Sequence, residues 1–187
     1  MLPPSGDQDP RARKAVEEAG RALERVAALV EDLGHYARLA SGEARLHPAP
    51  ASLGEILRIA AGGVTLPATP TVDVLVQVPA EIDITIHADV TRLAEACGAL
   101  ATALARAQVE DSTVLLTTAP ENRPDRPSIL ISLAPLRGSA AAGRPARLER
   151  SGAGLSLATA DLIVRLHGGT LAERWTEEAW AGYVVRL

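Results

Sequence analysis

"GAGLSLATADLIVRLHGGTL", Gly152 to Leu171, sets two glycines one residue apart ahead of an apolar helical run that Gly168 and Gly169 bring to a stop. Backbone N–H groups gathered by such a turn at a helix N-terminus form a cradle for phosphate. The same glycines serve equally well as a tight turn that lets a helix pack closely on a sheet. Which of the two holds depends on what the rest of the chain supplies.

Strands are expected on either side of this helix. Leu171 to Trp175 and Tyr183 to Leu187 follow it, and "TVLLTTA" (Thr113 to Ala119) and "SILISLA" (Ser128 to Ala134) precede it, across an aperiodic Pro135 to Ser151 loop. Further upstream, Asp89 to Gln108 is Ala-rich and helical, with Leu93, Cys97, Leu100 and Leu104 on one side. "TVDVLVQV" (Thr71 to Val78) and "IDITIHA" (Ile82 to Ala88) alternate apolar and polar residues, as strands with one buried face do. Leu53 to Ala61 is a short amphipathic helix, with Ser52 as N-cap and Glu55 completing a capping-box pattern.

The chain therefore divides into a leader (1–10), a long helix (11–42), a linker (43–51) that holds "HPAPA" just before Ser52, and an α+β domain (52–187) in which helices cover one face of a mixed sheet. Within the long helix, Leu23, Val26, Val30, Leu33, Ala37 and Ala40 recur at spacings of three and four. A second stripe through Leu29, Tyr36 and Leu39 widens the apolar face beyond what a two-stranded zipper requires. A lone helix leaves both stripes in water, so a second copy of the chain is the expected partner.

Composition narrows the class of function. Of 187 residues 47% are apolar but only 2% aromatic, and Phe is missing, so little surface is available for stacking on bases. A net charge of −4 and a pI near 5.6 oppose nucleic-acid binding, which draws on clustered Lys and Arg. Cys97 is the only cysteine, which excludes an intrachain disulfide and a cysteine-based zinc cluster. "MLPPSGDQDP" lacks a basic-then-apolar signal pattern, and no apolar run nears the ~20 residues that cross a bilayer. A cytoplasmic location without membrane insertion is expected.

Three segments, in order, carry a family resemblance. "LVEDLGHYARLASGEARLHPAPASLGEIL" (Leu29 to Leu57), "ADVTRLAEACGALATALARA" (Ala88 to Ala107) and the opening stretch resemble the sensor histidine kinases. They look like the end of the second dimerisation helix with its linker, the N-box helix, and the second glycine box. The resemblance implies a histidine kinase-like ATPase fold and a place in bacterial two-component signalling.

It also locates what is missing. Setting Asp89, Arg92 and Leu93 on the family's Asp, Arg and Leu puts the two magnesium-holding asparagines at Ala99 and Ala103. An amide oxygen suits Mg2+ and a methyl group coordinates nothing. Glu95 stands where the family often has a polar residue. The adenine-reading Asp falls near Pro135, and no acidic residue lies between Ser128 and Leu148. The loop before Gly152 is short for an ATP lid, and no counterpart of the first dimerisation helix, with its phosphoacceptor histidine, precedes Arg11.

Gly152 and Gly154 are accordingly expected to be a remnant glycine box, with no catalytic residue and no metal site. The resemblance implies a degenerate kinase-like module that dimerises through Leu23, Val26, Val30, Leu33 and Ala37, binds a response regulator or partner kinase, and uses no cofactor. Two alternatives stand beside it: a divergent active domain in which Glu95 and the Gly152 turn retain ATP and Mg2+, and a histidine phosphotransferase on a decayed scaffold.

The remaining features have plain readings. His35 is expected to be a solvated helix residue, since Glu31 and Asp32 one turn earlier hinder an incoming phosphoryl group. His167 is expected to be structural and Cys97 a core residue. His87 and Asp89 lack a third ligand for a metal. Arg137, Arg144, Arg147 and Arg150 are either a solvated loop or an anion clamp, and Trp175 and Trp180 either pack at an edge or form a contact patch.

Overall fold

The period-two stretches become the strands of one sheet. In the computed structural model, which describes residues 10–78, 84–121, 128–135, 153–175 and 180–187, the strand β2 (Val72–Gln77) turns Val72, Val74 and Val76 inward and Asp73, Leu75 and Gln77 outward. Strand β4 (Ser112–Glu121) buries Val114, Leu116 and Thr118 in the same sense. With β5 (Ser128–Pro135), β6 (Thr170–Trp175) and β7 (Trp180–Arg186), they form a five-stranded sheet in the order β2-β4-β5-β7-β6. Only β2 and β4 run parallel. The sheet is mixed, as expected.

Helices α2 (Leu53–Gly62), α3 (Val90–Arg106) and α4 (Ala153–Leu166) lie against this sheet. Their apolar faces supply most of the core: Ile56, Leu57, Leu93, Leu100, Leu104 and Ile163 have no accessible surface beyond 0%. Fully burying a leucine or isoleucine contributes roughly 1.5–3 kcal/mol, so this aliphatic layer dominates the fold's stability without any phenylalanine. Cys97 sits in it, and burial pushes its thiol up to about 12, so it is a small core residue and not a reactive one.

Two further elements differ from the sequence reading. Part of the expected linker is a strand, β1 (Ala49–Ser52), paired antiparallel with β3 (Thr85–Ala88), so that Pro50 faces His87. A proline is tolerated there because this sheet has only two strands and each is an edge. Ser52 then ends the strand and caps α2, its hydroxyl accepting from the Glu55 amide at 3.4 Å.

The first helix, α1 (Pro10–Ala40), ends at Gly42, whose φ of +76° breaks the helical path. The last turns of α1 dock on α4, burying Leu39 and half-burying Tyr36. The second apolar stripe is thus taken up at its C-terminal end by the chain's own domain. The first stripe is not covered: Leu23 is 71%, Val26 55%, Val30 64% and Leu33 56% exposed, and Ala37 is exposed too. Among the described residues no helix is long and apolar enough to cross a membrane.

Candidate functional site

Positions 95, 99, 102, 103 and 106 fall on one face of α3 because the helix returns to the same side every three or four residues. This face lines a groove of about 510 Å3, closed by Ile59, Ala60, Gly63 and Thr65 on the α2 side and by Ser156 of α4. The two helices approach closely because Gly98 carries no side chain: a Cβ there would lie 3.2 Å from the Ala60 carbonyl oxygen. Beyond α2, the Thr65 amide donates to the Thr102 hydroxyl at 3.1 Å and fixes the groove's far rim.

Ala99 and Ala103 are both in the groove wall. At the two positions that the family resemblance sets against magnesium-holding amides, the groove thus meets methyl groups. Among the described residues Glu95 is the one acidic side chain lining the groove, and both of its oxygens are engaged. Oε1 lies 3.1 Å from Nδ1 of His35, and Oε2 accepts from Arg92 Nη1 at 3.0 Å. No group of three His, Cys, Asp or Glu side chains suited to a metal ion occurs among the described residues. Among the described residues that line the groove, Glu95 alone carries an anionic oxygen, and this donor set does not fit a magnesium ion.

His35 is not a solvated residue, which corrects the sequence reading. Its side chain is 22% exposed and joins α1 to α3, contacting Glu95 through Nδ1 and Arg92 through Nε2. Because Arg92 only donates, Nε2 accepts and Nδ1 carries the proton given to Glu95, an assignment that follows from the partners. Reading along the helix could not find this, since the partners lie 57 and 60 positions away in the chain.

Asp89 caps α3 and forms no metal pair with His87. Its Oδ1 accepts from the Arg92 amide at 3.1 Å and its Oδ2 from the His47 amide at 2.9 Å, while its own amide donates to His167 Nε2 at 3.0 Å. His87 is exposed on β3. His167 Nδ1 in turn donates to the Ile163 carbonyl at 2.8 Å, so it ties the end of α4 to the start of α3. Burial opposes charge on Asp89, but the amides of His47 and Arg92, with the nearby Arg92 and His167, outweigh it and hold the carboxyl below its ordinary value.

A lowered carboxylate pKa stabilises the fold above the unfolded value and loses that contribution as pH falls through the folded one. The wild type should therefore lose stability in urea melts as pH drops below about 4. Asp89→Asn should be less stable at neutral pH by about 1 kcal/mol, the scale of the hydrogen bond from the His47 amide that an asparagine NH2 in place of Oδ2 cannot accept, with a shallower acid dependence. Equal acid dependence in the two proteins would refute the assignment.

Of the remnant glycine box, Gly154 lies in the first turn of α4, while Gly152 is outside the described residues, as are Arg137, Arg144, Arg147 and Arg150. Pro135 closes β5 opposite Val114. Trp175 and Trp180 are strand partners at the end of β6 and β7, just past a register shift between Arg174 and Trp175.

No protein-family model and no curated protein matches the chain by sequence. Solved structures do match it by shape. Full-length ShkA in complex with AMPPNP is similar over 97% of the chain at 22% identity and a TM-score of 0.69, and the chain spans only 39% of that protein's length. The Acinetobacter baumannii histidine kinase AdeS is similar over 98% of the chain and 87% of its own, at 14% identity and a TM-score of 0.61. The catalytic domain of histidine kinase ThkA is similar over 75% of the chain and 95% of its own, at 15% identity and a TM-score of 0.54. At these identities the likeness shows the fold: an α+β histidine kinase-like domain preceded by a long helix.

Proposed function

We propose that this chain uses a histidine kinase-like fold as a degenerate, pseudokinase-type module of two-component signalling, which dimerises through α1 and engages a response regulator or a partner kinase without hydrolysing ATP. The observation that carries the proposal is the groove on α3, where Ala99 and Ala103 present methyl groups at the magnesium-ligand positions. Fold alone does not fix activity, so the side chains on this face decide.

The competing active-kinase reading relies on Glu95 as the retained metal or nucleotide contact. Glu95 already balances Arg92 and receives the His35 proton donor, and withdrawing it for a cation would leave Arg92 and His35 without their acceptor. The phosphotransferase reading requires a histidine able to take a phosphoryl group. His35 is half-buried with both ring nitrogens occupied, and Asp32 lines the same small cavity.

Turnover tests the proposal. Purified protein incubated with ATP and Mg2+ is expected to release no ADP above the rate in buffer and to acquire no acid-labile phosphate. ADP release that Glu95→Gln abolishes would establish an active enzyme and overturn the proposal.

A further inference from the structure

We infer that the groove along α3 binds a single-chain aliphatic carboxylate, its head held by Thr102 and Arg106 and its chain lying toward Val90. This rests on the reading above that no nucleotide occupies the groove.

Lining residues recur every fourth position of α3 from Val90 to Arg106. At 1.5 Å per residue they mark out a trench about 24 Å long. Ala94, Gly98, Ala99 and Ala103 keep its middle free of long side chains, and the α2 wall presents Ile59, which is 49% exposed. Spread over that length, a volume of about 510 Å3 accommodates a slender chain and not a helix, which is about 10–12 Å across. None of the described lining residues is aromatic, so a flat ring finds nothing to stack on, whereas an aliphatic chain meets methyl groups throughout.

The uncompensated charge lies at one end. Glu95 is balanced by Arg92 and His35. Arg106 is the one cation among the described lining residues, and it forms no ion pair among the described residues. Thr102 stands one turn before it on the same face. The Thr65 amide donates to Thr102 Oγ1 at 3.1 Å, which fixes that oxygen as an acceptor and leaves its own proton to be donated.

A guanidinium fork and a hydroxyl proton one turn apart offer donors to both oxygens of a carboxylate. The negative end of the helix dipole opposes an anion here, but more weakly than a charge-assisted guanidinium contact holds it. Eleven residues of helix put Glu95 about 16 Å away, beyond the Debye length of about 8 Å at physiological salt, so its charge does not repel the head.

Calorimetric titration with decanoate, below its micellar concentration and near neutral pH, tests the site. Saturable binding is expected, with affinity rising about fourfold per methylene from hexanoate to decanoate, the factor that ~0.8 kcal/mol per CH2 gives. Decanol, which keeps the chain and lacks the charge, should bind about tenfold more weakly. Arg106→Gln should weaken decanoate about tenfold and leave decanol unchanged, a selectivity that unspecific adsorption of an amphiphile does not produce.

Ala99→Leu, which narrows the trench, should weaken both ligands. Arg106 is exposed, so its variant keeps the fold and serves where Ala99→Leu does not. No saturable heat with decanoate, or an Arg106→Gln variant that binds decanoate as the wild type does, would overturn the inference and leave the pseudokinase reading untouched. Displacement of bound decanoate by ATP with Mg2+ would do the reverse: it would place decanoate in the groove and overturn the pseudokinase reading.

Discussion

Gly169→Ala is expected to lower the melting temperature by roughly 6–12 °C. A Cβ at this position would stand 2.3 Å from the Arg186 carbonyl oxygen and 3.1 Å from side-chain carbons of Val164 and Leu187. Backbone on one side and core on the other cannot yield cheaply, which puts the cost near 3 kcal/mol, the upper part of the range for overpacking; for a domain of this size each kcal/mol shifts the midpoint by about 2–4 °C.

The neighbouring substitution separates two reasons for a glycine. Gly168 has φ +79° and open space around it, so Gly168→Ala meets only backbone strain, about 1 kcal/mol. Together the two residues form a Schellman cap: the Gly169 amide donates to Val164 and the Gly168 amide to Arg165, each at 2.9 Å. A thermal melt of both variants checks the order. If Gly168→Ala proved the more damaging, the close approach of α4 to β7 would be misdescribed.

Val30→Asp is expected to halve the mass of the protein in solution. The α1 stripe of Leu23, Val26, Val30 and Leu33 is open to solvent in the single chain. A two-fold contact along it would bury Val30 against its symmetry mate, and an aspartate there would be a charge without a partner. Multi-angle light scattering at micromolar concentration should give a dimer for the wild type and a monomer for the variant.

Because Val30 is 64% exposed within one chain, the variant's own fold should change by no more than about 0.5 kcal/mol. A wild-type monomer, or a variant that remains dimeric, would remove α1 from the role of dimerisation helix.

Local signals carried most of the fold. The alternation in Thr71 to Val78 and Thr113 to Ala119 gave strands with the expected inward faces, because one side of a strand must meet the helices. Ser52 was identifiable as a cap from its place before an apolar run. Strand β1 was hidden because Pro48 and Pro50 mark a linker in any local reading, and its partner β3 lies more than thirty residues away. Asp89 was open to recognition by the same capping rule as Ser52, since it too stands just before an apolar helical run.

The candidate site was legible in one respect only. The family resemblance sets Ala99 and Ala103 against the magnesium-holding positions, and both residues line the α3 groove. The state of Glu95 was not accessible from sequence, because its partners His35 and Arg92 come from two different helices and only the fold brings α1 across α3. That occupied carboxylate leaves the groove with no free acidic ligand among its described lining residues.

Calorimetric titration of the protein with ATP in millimolar Mg2+, paired with a thermal melt in the same solution, tests this claim most directly. A ligand that binds only the native state at a hundred times its Kd adds about 2.7 kcal/mol of stability, which a melt of this domain would register as roughly 5–11 °C. No heat of binding and an unchanged midpoint at millimolar nucleotide are the predicted results. A saturable heat together with a raised midpoint would contradict the account, since it would mean that nucleotide is held on a face where Ala99 and Ala103 replace the ligands.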